Sequence, residues 1–196
     1  MDSNFWDLKN KEKICIFDID GVLLSNYPQC WIDFVNSRLN TNFDDLHIMK
    51  NHVTFEKYRQ LKEEYRVSGI KATFAPDKYA SMVMKKLKQL GYMRVVMTAR
   101  PVDKYPQLYN LTTDWLRKNK IGCDCIYFGE KNKHVKILSE LPHTKFIVED
   151  NSYSANQISK WGYTVFLLTN KYNATQKLEK NVIRINKLNE LFEYLI

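Results

Sequence analysis

The chain has 196 residues, 44% of them hydrophobic and 13% aromatic, enough for one compact globular protein with an ordinary core and a small accessory module. Lys and Arg number 30 against 22 Asp and Glu, a formal charge of +8, which suits an anionic substrate, nucleic acid or an acidic surface without singling out any of them. No stretch approaches the ~20 apolar residues of a membrane span, and the opening MDSNFWDLKNKEK is too polar for a signal peptide, so the expectation is a cytoplasmic protein without membrane contact. Cys15, Cys30, Cys123 and Cys125 fit no zinc spacing and read as reduced thiols, and the sequons at Asn110 and Asn173 mean little without secretion.

The first predicted element is a buried strand, Ile14 to Phe17, that runs directly into two aspartates and a glycine in CIFDIDGVLL. Side chains alternate along a strand, so Asp18 and Asp20 share a face while Ile19 returns to the packing. Two carboxylates on one face repel unless a cation or a shared proton lies between them, and the pair therefore asks for a metal. Helical spacing follows. Trp31, Phe34, Val35 and Leu39 form one stripe, and Phe55, Tyr58, Leu61 and Tyr65 form another, before RVSGIKATFAP reads as a return connection. Residues 25–73 thus read as a small helical insertion, a cap, between core segments 1–24 and 74–196.

From Pro76 onward helix and strand alternate. A helix with Tyr79, Val83, Leu87 and Leu90 facing inward leads to strand 94–98, and a helix bearing Leu108, Leu111, Trp115 and Leu116 leads to strand 125–128. Helix HVKILSEL precedes strand 145–148, SANQISKW precedes strand 164–168, and the tail reads as a last strand and a closing helix. This order predicts an α/β protein with a doubly wound parallel sheet, whose ligands sit beyond the carboxyl ends of the strands. Those ends carry Asp18 and Asp20, Thr98 and Arg100, Lys131 and Lys133, and Glu149 and Asp150. One such residue alone would be a helix cap; four groups in register on one rim make a site.

Four motifs, FDIDGVL, VVMTARP, a lysine within EKNKH and FIVEDN, occur in the order of the haloacid dehalogenase superfamily, mostly phosphatases, which the chain resembles over residues 14–151. TARP followed by TTDWL is similar to the 5'(3')-deoxyribonucleotidases and to the phosphatase half of phage polynucleotide kinases. The resemblance implies a HAD-like (Rossmannoid) fold and a cap inserted after the first motif. It makes Asp18 a nucleophile, Asp20 a proton donor and acceptor, and Thr98 and Lys133, with Ala99 and Arg100, the groups that hold the phosphoryl oxygens. A carboxylate, with a reference pKa near ~4, needs no base to attack phosphorus. The implied cofactor is Mg²⁺, held by Asp18, the Asp20 main-chain carbonyl and Asp150. The family's metal loop usually carries two aspartates, so Glu149 remains an alternative to Asp150, as Lys131 does to Lys133.

The expected activity is a Mg²⁺-dependent phosphomonoesterase that acts through an aspartyl phosphate on a small phosphate ester such as a nucleoside monophosphate. Two other readings stay open: a 3'-phosphatase of nucleic-acid ends, and a binding or regulatory protein that keeps the fold without turnover. The cap sets the leaving group; most of its Trp31, Phe34, Phe55, Tyr58 and Tyr65 are expected to pack the cap itself, with one or two left as a flat wall to the cleft, and Arg59 and Arg66, able to meet an acid group of the substrate, read more readily as solvated helix arginines. Oligomeric state is not encoded in any of these patterns.

Overall fold

The computed structural model describes residues 13–25, 27–130 and 132–195. Six strands, β1 (Ile14–Phe17), β2 (Met93–Met97), β3 (Cys125–Tyr127), β4 (Thr144–Glu149), β5 (Thr164–Leu168) and β6 (Val182–Ile185), form one sheet in the order β3-β2-β1-β4-β5-β6. Every pairing in it is parallel. The chain winds outward from β1 in one direction and then restarts at β4 in the other, so β1 and β4 flank the switch point where such sheets bind ligands.

Alternation along the strands explains why both faces are covered. Cys15 and Phe17 pack on one face with Val83, Met84 and Leu87 of α4 (Ala80–Gln89), Trp115 and Leu116 of α5 (Gln107–Lys118), and Leu188 and Leu191 of a C-terminal 3-10 helix. Ile14 and Ile16 pack on the other with Ile137 of α6 (Lys133–Glu140) and Ala155 and Ile158 of α7 (Ser152–Ser159). Two local expectations are corrected. Leu90 is 42% exposed at the end of α4, where Ala80 and Met84 take the inward positions, and the closing helix is 3-10 rather than α.

The insertion contains α1 (Gln29–Leu39), α2 (Leu46–His52), α3 (Phe55–Val67) and a 3-10 turn (Ile70–Thr73), one α-helix more than the apolar stripes predict. Trp31, Ile32, Phe34, Val35, Met49, Leu61 and Tyr65 give these elements a core of their own. Two linkers join them to the sheet side by side: Leu24 bridges Pro76, and the Asp77 N–H donates to the Leu23 carbonyl at 2.8 Å. The indole of Trp115 donates to the Phe74 carbonyl at 2.8 Å, tying the return linker to α5. Across the cleft, Lys171 Nζ donates to the Asp44 carbonyl at 2.8 Å and the Leu46 N–H to Tyr172 Oη at 3.3 Å. No helix among the described residues is long and apolar enough to cross a membrane.

Candidate active site

β1 stops at Phe17, and the next N–H, that of Asp18, donates to the Val148 carbonyl at 3.1 Å. This bond sets Asp18 beside the end of β4, where Glu149 and Asp150 follow. Carboxylate oxygens of Asp18, Glu149 and Asp150 all lie within 4.8 Å of one another. Lys133, the first residue of α6, reaches this group with Nζ 3.0 Å from Asp18 Oδ1 and 2.5 Å from Glu149 Oε1. Lys133 and Glu149 are both buried, 5% and 1% exposed. Burial favours the neutral amine, yet the negative charges of Asp18 and Glu149 outweigh it and raise the Lys133 pKa.

One ammonium does not balance three carboxylates. Burial first, then Asp18 and Glu149, push the Asp150 carboxyl well above the ordinary range. Burial likewise lifts Glu149, with Lys133 opposing. Gly21 closes the cradle: at φ 94°, an added Cβ would lie 2.1 Å from Asp150 Oδ2. All-oxygen donors, excess negative charge and a fitted wall suit a hard divalent cation.

Asp20 does not join this cluster. Its carboxylate meets Arg100, with Nη2 2.7 Å from Oδ1 and Nε 3.5 Å from Oδ2, and forms a second ion pair with Lys71 of the cap's 3-10 turn. Burial alone would raise its pKa, but Arg100 and then Lys71 hold it well below the usual carboxylate range. The expected repulsion between Asp18 and Asp20 is therefore answered by two different sets of cations. Arg100, 6% exposed, also donates from Nη1 to Thr112 Oγ1 at 3.0 Å, so its guanidinium is held between Asp20 and α5.

Thr98 is 1% exposed just past β2, with its N–H donating to the Tyr127 carbonyl at 2.9 Å and its Oγ1 accepting from the Arg100 N–H at 3.4 Å. Ala99 follows in an exposed position. Lys131 lies outside the described residues. Among the other expected cleft residues, Trp31, Phe34 and Tyr65 turn into the cap's own core and Phe55 is 69% exposed. Arg59 packs over the Phe55 ring, and Arg66 pairs with Glu63. Two aromatics that do line open space beside the site are Tyr27 and Tyr172. They border a cleft of about 370 Å³ with Gly21, Gln29, Asn170 and Asn186, and an adjoining one of about 170 Å³ that reaches Asp150 and Asn151.

No protein-family profile matches the chain. A nucleotidase of Clostridium acetobutylicum is 32% identical over 186 residues, 91% of each chain. In fold the protein is similar to the haloacid dehalogenase-like hydrolase SP0104 of Streptococcus pneumoniae, with TM-score 0.68, 12% identity and coverage of 93% and 98% of the two chains. It is also similar to a predicted phosphatase of Clostridium acetobutylicum, with TM-score 0.63, 16% identity and coverage of 93% and 97%. Taken with that relative and the motif residues gathered at the switch point, the chain belongs to the haloacid dehalogenase superfamily and is one of its phosphatases.

Proposed function

We propose that the protein is a Mg²⁺-dependent nucleotidase in which Asp18 forms a covalent aspartyl phosphate. The observation that carries the chemistry is Asp18 itself, ion-paired through Oδ1 to Lys133 and grouped with Glu149 and Asp150 at the mouth of the sheet. Asp18 and Asp150, with the Asp20 carbonyl, are the groups that would hold Mg²⁺, whose charge offsets the attack of one anion on another. Glu149, buried against Lys133, keeps that ammonium in place rather than serving as a ligand.

In the first half of the reaction a carboxylate oxygen of Asp18 bonds to phosphorus, the ester P–O bond breaks, and Asp20 gives its proton to the departing alkoxide. Water then attacks the same phosphorus, Asp20 takes the proton back, inorganic phosphate leaves and the Asp18 carboxylate is restored. Lys133 and the Thr98 hydroxyl steady the phosphoryl oxygens throughout. As seen here, Asp20 between Arg100 and Lys71 is set up as the base of the second half. Its acid role requires both cations, Arg100 before Lys71, to loosen their hold as substrate enters.

The amides and phenols that line the two clefts, beside the charged Asp77, Lys171 and Asp150, support a nucleoside as leaving group, as does the name of the Clostridium relative. Amides and phenols match the donors and acceptors of a base and sugar better than they match a second phosphate. Comparison of kcat/KM for nucleoside monophosphates, sugar phosphates and a 3'-phosphorylated oligonucleotide tests this reading. The monophosphates should lead; preference for either of the others overturns the substrate assignment.

A further inference from the structure

We propose that Asn173, in the loop after β5, is a positioning residue that sets the affinity of the carboxylate cluster for a divalent cation by fixing the main chain of Asp150. The proposal rests on the metal-dependent reading above. Asn173 is 2% exposed, and its side-chain amide uses its full hydrogen-bonding capacity. Nδ2 donates to the Asp150 carbonyl at 2.8 Å and to the Leu168 carbonyl at 2.8 Å. Oδ1 accepts from the Asn170 N–H at 3.0 Å and from Arg184 Nη1 at 3.4 Å. Among side chains of this size only asparagine offers two donors and two acceptors on one planar group. Arg184 on β6 secures the same residue again, donating from Nη2 to the Asn173 and Gln176 carbonyls, each at 2.8 Å.

Asp150 thus stands between two supports: its carbonyl is held by Asn173, and its carboxylate is pressed against Gly21. A carboxylate so confined cannot swing to follow an ion, so its fitness as a ligand depends on where the main chain sets it. Three of the four amide bonds serve this loop and its flanking strands, and the turn has further bonds of its own. Asn170 Oδ1 already accepts from the Tyr172 and Asn173 N–H groups at 2.9 and 3.1 Å, and the Ala174 N–H donates to the Asn170 carbonyl at 3.0 Å. What the Asn173 amide adds is the tie between this loop and the metal loop. Groups that orient a ligand from behind typically change metal affinity by about 10- to 100-fold when removed.

The test uses Mn²⁺ as the probe, titrated into the substrate-free full chain by electron paramagnetic resonance, alongside thermal unfolding in EDTA. Asn173→Ala and the near-isosteric Asn173→Leu should raise the Mn²⁺ Kd by about 10- to 100-fold, and Arg184→Met should raise it less. Excess Mg²⁺ should restore most of the kcat of Asn173→Ala, because Asp18 and Lys133 stay in place. Unchanged Mn²⁺ affinity in a folded Asn173 variant overturns the proposal, whatever happens to the melting temperature. If both Asn173 variants fail to fold, Arg184→Met decides: unchanged affinity there overturns it equally. A wild-type protein that binds no Mn²⁺ overturns the metal-dependent reading itself, and is told apart because the variants then have nothing to lose.

Discussion

Asp18 is the residue on which chemistry and electrostatics pull in opposite directions. It sits among buried negative charge that folding has to tolerate, so Asp18→Asn relieves repulsion with Glu149 and Asp150 while removing the nucleophile. Turnover of p-nitrophenyl phosphate should fall by at least about a thousandfold, with a melting temperature equal to or above wild type; near-normal turnover would rule out the covalent route. Gly21→Ala acts on the other wall of the site. Its left-handed φ of 94° and the 2.1 Å approach of Asp150 Oδ2 leave no place for a methyl group. That variant should lose about 1–3 kcal/mol of stability in urea titration and need far more Mg²⁺ for the same rate. These site residues were legible because strand ends announce themselves: Asp18, Thr98 and Asp150 each follow a β-rich run, and Lys133 opens a helix. Lys71 and Asn173 were not. Lys71 meets Asp20 across 51 residues of sequence, and Asn173 reads only as a sequon until its amide is seen fully bonded and buried.

At the scale of elements, the cap is built around a cation rather than around a cleft wall. Lys62 on α3 places Nζ 4.0 Å from the centroid of the Trp31 ring and donates to Tyr27 Oη at 3.3 Å, with the Tyr58 and Tyr65 rings nearby. Most rings of the aromatic stripes pack the cap itself, as expected, but which of them faces the cleft is not legible: periodicity shows which face is buried, not what it is buried against. Helix α2 escaped notice for a related reason, since Met49 is its one buried residue and only the Asp45 cap marks it. Burial, then Lys71, Arg66 and Lys50, lower the Lys62 pKa to about 7, with Asp20 opposing. A lysine depressed in the folded state binds fewer protons than in the unfolded chain, so its cost is greatest below pH 7 and fades as pH rises toward the ordinary lysine value. Lys62→Met should therefore raise the melting temperature most at pH 6 and by progressively less up to pH 10. A difference independent of pH would show that Lys62 stays charged in its aromatic surroundings.

At the scale of the whole molecule, the sheet gathers groups from four separate stretches of sequence at one rim, and a single ion is proposed to hold their charge together. EDTA should abolish activity, Mg²⁺ should restore it, and Ca²⁺ should not. Calcium takes six to eight oxygens, roughly, where magnesium takes about six, so it would draw on both oxygens of Asp18, one of which is needed for attack on phosphorus. Equal rates with either ion would contradict this site. The paired linkers carry a different kind of consequence. Because Leu24 bridges Pro76, the insertion leaves the sheet and returns to it at nearly one point, like a page bound by a single seam. A segment exchanged between these points keeps its attachment to the sheet but has to reproduce the Lys71–Asp20 pair and the contacts of Asp44 and Leu46 with Lys171 and Tyr172. A chimaera joined at that seam and retaining Lys71 should inherit the donor's choice of leaving group and keep the recipient's phosphoryl chemistry.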